Sequence, residues 1–236
     1  MVFKNVRDLI LSEEICRREL GETPSFALNT NLEVESMIEA QIEAYQNQDG
    51  ASLDLRRKRL VGIAARMSFW LDKESGKKCF MLAGRELTII RSSTPMYWAW
   101  ISLPQSRFSE VANLKLLWWL EINGKMNTCI LSPRTNYVVY LVFQRTDRFH
   151  GFEGNPIEAS IGIVSGQTTK QVIYLDPEHD TNPNSARLDG WYEVELGEFE
   201  GREGEELEMS IMEVKTGNAK YGLLIEGIEI RPKFCS

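Results

Sequence analysis

A chain of 236 residues, 43% hydrophobic and 26% charged, carries enough apolar material for one large domain or a domain with a smaller appendage. A formal net charge of −7 argues against a nucleic-acid binder, which would more often present a clustered basic face, and no apolar run reaches the length of a membrane span. The start, Met1 to Asp8, lacks the apolar core of a signal peptide, and four scattered cysteines without C-x-x-C spacing read as reduced thiols, so cytoplasm or nucleus is the expected compartment.

Residues 1–67 differ in kind from the rest. Leu32, Met37, Ile38, Ile42 and Tyr45 follow a helical stripe that Asn31 could cap, and Gln48-Asp49-Gly50 would end it. Leu53 to Met67 reads as a second helix, and Val6, Leu9 and Ile10 suggest a short one before them. The run Arg56-Arg57-Lys58-Arg59 suits a nuclear import signal or equally a solvated helix face. The apolar content is thin for an independent domain, so this part reads as a helical or partly disordered extension.

From Ser68 the pattern is β. Ser68–Asp72 and Lys78–Leu82 flank Glu74-Ser75-Gly76-Lys77, a hairpin signal. Arg85–Ile90, Tyr97–Leu103, Ile157–Val164 and Gln171–Leu175 are further strand candidates, and Leu116–Ile122 and Asn136–Phe143 are apolar on both faces, as central strands are. Asp189–Pro232 reads strand, turn, strand, turn, strand, with period-two alternation in each run. Roughly ten such strands fit a two-sheet antiparallel sandwich.

Chemistry-bearing patterns are few. Two histidines, His150 and His179, sit in loop-like surroundings, and no G-x-S-x-G elbow, phosphate-binding glycine loop or close metal-ligand pair occurs. Carboxylates are plentiful near the end, mostly on the polar face of strands. Glu213 breaks that rule: it falls on the parity of Leu207, Met209 and Ile211, whereas Met212 and Val214 fall on the polar one. Either a bulge resets the strand or Glu213 points into a partly closed surface. Tyr97-Trp98-Ala99-Trp100, Trp118, Trp119 and Trp191 supply aromatic rings, suited either to the core or to stacking on sugar rings beside carboxylates.

Ser68-Phe69-Trp70-Leu71-Asp72-Lys73, Arg85-Glu86-Leu87-Thr88-Ile89, Thr94-Pro95-x-Tyr97-Trp98-x-Trp100, Trp119-Leu120-Glu121-Ile122-x-Gly124-Lys125 and Gly227-Ile228-Glu229-Ile230-Arg231-Pro232 together resemble the phloem protein 2 family of plant lectins, to which the Nictaba-type lectins belong. The lead-in at Ser68 looks most like plant proteins that place an F-box before this domain, although residues 1–67 show no F-box pattern. The resemblance implies an all-β, jelly-roll-like antiparallel sandwich over residues 68–236, nucleocytoplasmic, binding chitooligosaccharides or the N-glycan core without catalysis or cofactor. Carried over by motif, the carbohydrate-binding residues would be Trp98, Glu206 and Glu213. Arg91 stands where the family has a first tryptophan, and would sit at the rim of the site. A homodimer is compatible with this reading. The alternative is a protein-interaction scaffold or F-box-related adaptor, its sugar site decayed and residues 1–67 its contact surface.

Overall fold

The computed structural model describes residues 60–61, 66–164, 166, 168–176, 186–201 and 204–233. Within them, thirteen strands build two antiparallel sheets. The larger sheet holds β1 (Leu60–Val61), β2 (Met67–Leu71), β3 (Lys78–Ala83), β5 (Trp98–Ile101), β6 (Val111–Leu114), β8 (Asn136–His150), β11 (Tyr192–Glu200) and β13 (Tyr221–Pro232). The smaller runs in the order β10 (Thr168–Ile173), β9 (Ile157–Ile163), β12 (Glu206–Glu213), β7 (Leu120–Asn127), β4 (Thr88–Ile89).

Alternation sets which face each strand buries. In β12, Leu207, Met209 and Ile211 point inward between β7 and β9, and β7 answers with Leu120, Ile122 and Met126. From the larger sheet, Phe80, Val139, Leu141, Ile228 and Ile230 complete the same core. Each such side chain contributes roughly 1.5–3 kcal/mol when fully buried. The long strand β13 organises the larger sheet. One side pairs with β8, while the other pairs first with β6 at Leu224 and Ile225 and then with β3 from Gly227 to Ile230. The switch is a bulge between Ile225 and Gly227, where a Cβ on Gly227 would stand 1.9 Å from the Leu82 carbonyl oxygen, so only glycine fits.

A second, smaller core lies on the outer face of the larger sheet. Segments 102–110 and 186–191 cover one end of that face, burying Met81, Phe108, Val111, Val142, Trp191 and Leu224. The Trp191 indole N–H donates to the Gln105 carbonyl at 3.3 Å, so this ring is a plug and not a ligand platform.

The structure departs from the sequence reading in four places. The strand expected over Arg85–Ile90 opens as a short 3-10 turn at Gly84–Glu86, and only Thr88–Ile89 joins a sheet. Leu60 and Val61, expected within a helix over Leu53–Met67, form a strand against Phe69 and Ser68, and Met67 already belongs to β2. Pairing with β2 satisfies backbone groups that would otherwise form an open edge. The other expected helices lie outside the described residues. The strand expected at Leu116–Ile122 begins only at Leu120, because Leu117 bridges to Lys220 and leaves Trp118 half exposed before the sheet starts. β6 carries no signal of its own in the sequence: four residues are too short to show a period.

Candidate functional site

Three segments meet at one corner of the sandwich: the turn 90–97 between β4 and β5, residues 115–119 ahead of β7, and the hairpin 214–220 between β12 and β13. The Lys115 N–H donates to the Tyr97 carbonyl at 2.8 Å, and Leu117 and Lys220 exchange backbone hydrogen bonds. The turn 90–97 winds tightly, with Thr94 N–H donating to Arg91 and Tyr97 N–H to Thr94. Arg91 has a φ of 55°, an uncommon left-handed conformation for a residue with a Cβ. That backbone carries its guanidinium to 5.2 Å from the Tyr97 ring centre and 5.6 Å from that of Trp119.

The tryptophans of this corner divide by what their indole N–H groups do. Trp98 donates to the Ile90 carbonyl at 3.0 Å and Trp100 to the Ser92 carbonyl at 3.2 Å, so both clamp the turn from behind. Trp98 is only 1% exposed. The family resemblance makes it a stacking platform; instead its side chain takes the inward face of β5, among the core residues. Trp118 is 44% exposed, and neither its N–H nor that of Trp119 meets an acceptor among the described residues. Exposed Met96 lies in the same turn as Arg91.

Glu213 faces inward with no bulge in β12, so the second of the two readings of its parity holds. Its carboxylate forms a wholly enclosed ion pair with Lys220 and accepts backbone N–H bonds from Lys215 at 3.1 Å and Thr216 at 2.9 Å. Burial pushes its pKa up, but the Lys220 ammonium and the Thr216 amide outweigh that and hold the carboxyl below its ordinary range. Lys220 also donates to the carbonyls of Trp118 at 3.3 Å and Asn218 at 3.1 Å. The pair therefore braces the hairpin and anchors Trp118 from below, and its oxygens are spent inside the protein. Glu206 sits at the other end of the same strand, roughly 23 Å away at about 3.3 Å per residue. It points to solvent and pairs with Lys125 at 3.1 Å. Of the four residues singled out by sequence, Arg91, Trp98 and Glu213 thus share this corner, two of them behind its surface, and Glu206 lies elsewhere. Trp118 and Trp119 are the surface rings. The signal for them is a doubled tryptophan just ahead of a strand, hidden in an apolar run that reads as buried.

Residues 77–232 match the family model described as Phloem protein 2. The chain belongs to the phloem protein 2 family. Relatives include F-box protein PP2-B10 of Arabidopsis thaliana, 44% identical over 174 residues, an alignment covering 70% of this chain and 64% of that protein. Putative F-box protein PP2-B12 of Arabidopsis thaliana is 45% identical over 172 residues, covering 71% and 66%. The chain thus spans less than two thirds of the length of these relatives. Among solved structures, the GH26-CBM35 β-mannanase of Podospora anserina overlaps 67% of this chain and 28% of its own, with 7% identity and a TM-score of 0.38.

This phloem protein 2 domain has a second polar region, on the uncovered end of the larger sheet's outer face. A cleft of about 450 Å³ there is lined by Trp70, Tyr140, Glu195, Glu229, Arg231 and Lys233, among others. Its floor is a network. Buried Glu229 pairs with Arg107 at 2.6 Å, Arg187 at 3.0 Å and Arg231 at 3.2 Å, while Glu193 pairs with Arg187 at 3.0 Å and with Arg231. Burial works to raise the Glu229 pKa, yet Arg187 and Arg107 hold it down at about 2. Arg231 also stacks on Tyr140, 3.9 Å from its ring centre. The arginines here are matched to buried carboxylates, while Glu195 lines the cleft and pairs with no cation among the described residues, its pKa raised by burial and by Glu198.

Proposed function

We propose that this domain is a non-catalytic carbohydrate-binding module for N-acetylglucosamine oligomers or the N-glycan core, taking its ligand at the corner of Arg91, Trp118 and Trp119. The observation that carries this reading is a half-exposed indole, Trp118, next in the chain to the Trp119 ring that the exposed Arg91 guanidinium faces, with the turn and the hairpin held from beneath by buried braces. Indoles pack on the C–H faces of pyranose rings and their free N–H groups donate to sugar hydroxyls. Trp98 and Glu213 act as positioning residues: one holds the turn that carries Arg91, the other the hairpin under Trp118. Family membership supports the lectin reading. Cys79 and Cys129 are buried thiols outside any disulfide, which fits a reducing compartment, cytoplasm or nucleus. Glycan-array binding of the wild-type chain, with Trp118→Ala and Glu206→Ala alongside, tests the proposal. Binding weakened about tenfold or more by the first and untouched by the second is expected; absence of binding to every glycan would sink it.

A second reading, a protein-interaction scaffold or adaptor, is favoured by the F-box names of the relatives. It expects a partner set that changes when residues 1–59 are deleted. Identical pull-downs with and without them would reject it.

A further inference from the structure

Resting on the reading of the corner as a saccharide site, we propose that its ligand is an acidic saccharide, with Arg91 as the residue that selects the anionic group. Four observations converge on it. The first is local charge. Across segments 90–97, 115–119 and 213–220 the chain carries four cations, Arg91, Lys115, Lys215 and Lys220, against a single acid, Glu213. Lys220 consumes that acid, so three cations are left unmatched on a protein whose net charge is −7.

The second observation is the pairing of Arg91 itself. Among the described arginines, Arg66, Arg85, Arg107, Arg187 and Arg231 each meet a carboxylate, while Arg91, Arg134, Arg145 and Arg148 do not, and of these four Arg91 is the one at this corner. The guanidinium of Arg91 meets none among the described residues, nor do the ammonium groups of Lys115 and Lys215, and all three residues are exposed. The acid nearest in register, Glu121, takes the Asn123 amide at 3.2 Å and not Arg91.

The third is that Arg91 is held in place without a counter-ion. Its left-handed backbone orients the side chain, and the rings of Tyr97 and Trp119 lie 5.2 and 5.6 Å from the guanidinium, within cation–π range. A guanidinium held by ring contacts and by no carboxylate keeps N–H donors whose parallel geometry matches a carboxylate or sulfate. The fourth is adjacency: the Trp119 ring that Arg91 faces at 5.6 Å belongs to the chain neighbour of exposed Trp118. In the proposed site a pyranose on the Trp118 indole directs its charged substituent toward Arg91, where a tryptophan at position 91 would add only another ring.

The test compares three probes of one length and linkage on the intact chain by calorimetry: chitotetraose, sulfated chitotetraose, and a tetrasaccharide alternating N-acetylglucosamine with N-acetylmuramic acid. At low salt, one or both anionic probes should bind about five- to tenfold tighter than chitotetraose. The two anionic arms tell sulfate from carboxylate. That advantage should fall away in about 1 M salt, where screening acts within a few Å. In Arg91→Gln the ratio of anionic to neutral affinity should fall to about one, with the urea midpoint unchanged; Arg91→Lys should keep part of it. Equal affinity of the wild type for all three probes overturns the inference and leaves the saccharide site standing, as does a preference that survives Arg91→Gln. Failure of the wild type to bind any of the three overturns the site itself.

Discussion

On the outer face of the larger sheet, three arginines converge on buried Glu229, and two of them, Arg187 and Arg231, also share Glu193, so that each of these charges has a partner within the fold. At the corner, a single acid faces four cations and its partner Lys220 is buried with it. Both regions contain an enclosed carboxylate with a lowered pKa, Glu229 in one and Glu213 in the other. They differ in what is left over. The sheet face closes its arginines on buried Glu229 and Glu193 and reads as architecture. The corner uses one ion pair as a brace and leaves a guanidinium and an indole facing solvent. A carboxylate in a charged cluster therefore says little about ligands until its partners are counted.

The largest effects should come from breaking the enclosed pairs. Glu229→Ala leaves Arg107, Arg187 and Arg231 crowded without their shared anion, and should cost about 3–5 kcal/mol in urea unfolding. Glu213→Ala strands Lys220 in a dry site and should cost a similar amount, about 3–5 kcal/mol. Both carboxyls titrate lower in the folded chain than in the unfolded one, so the unfolded chain binds more protons in acid. Stability from them is present above the ordinary carboxylate range and lost as pH falls through their folded values. For Glu229 that window runs from 4.5 down to about 2 and corresponds to roughly 3 kcal/mol. Urea midpoints measured across it should fall steadily in the wild type and stay flatter in Glu229→Gln; equal slopes would count against the network.

Next in size is the contrast between two tryptophans. Trp98→Ala empties a core site and should cost about 3–5 kcal/mol. Trp118→Ala should leave stability within about 0.5 kcal/mol of wild type while weakening glycan binding roughly tenfold or more. The smallest effect is expected of Glu206→Ala, a solvent-facing residue far from the corner: unchanged urea midpoint and unchanged glycan titration. A binding loss there would move the site to the other end of β12.

Much of the sandwich is legible in alternation alone. The hairpin at Glu74–Lys77 forms as expected, with Asp72 accepting the Ser75 N–H at 2.8 Å and Gly76 at a φ of 66°. Along β12 the period holds to its last residue, and because no bulge interrupts it the parity of Glu213 carries over into an inward direction. What alternation does not show is which partner waits inside. Lys220 lies across a hairpin, and nothing in the spacing marks it as the counter-charge. Trp98 and Trp118 likewise look alike in sequence, since depth depends on the layer above. For Trp98 that layer is the sandwich core, and for Trp118 no such layer is present among the described residues. The strand β1 is illegible because two residues cannot declare a period, and the basic run preceding them favours a helix.

The most direct test follows the indole N–H resonances of the six tryptophans by NMR as chitotetraose is added. The signals of Trp118 and Trp119 should shift with saturation, while those of Trp98 and Trp191, tied to backbone carbonyls inside the fold, should stay in place. Shifts confined to Trp70 beside the outer-face cleft, with the Trp118 and Trp119 signals unmoved, would contradict the assignment of the corner as the binding site.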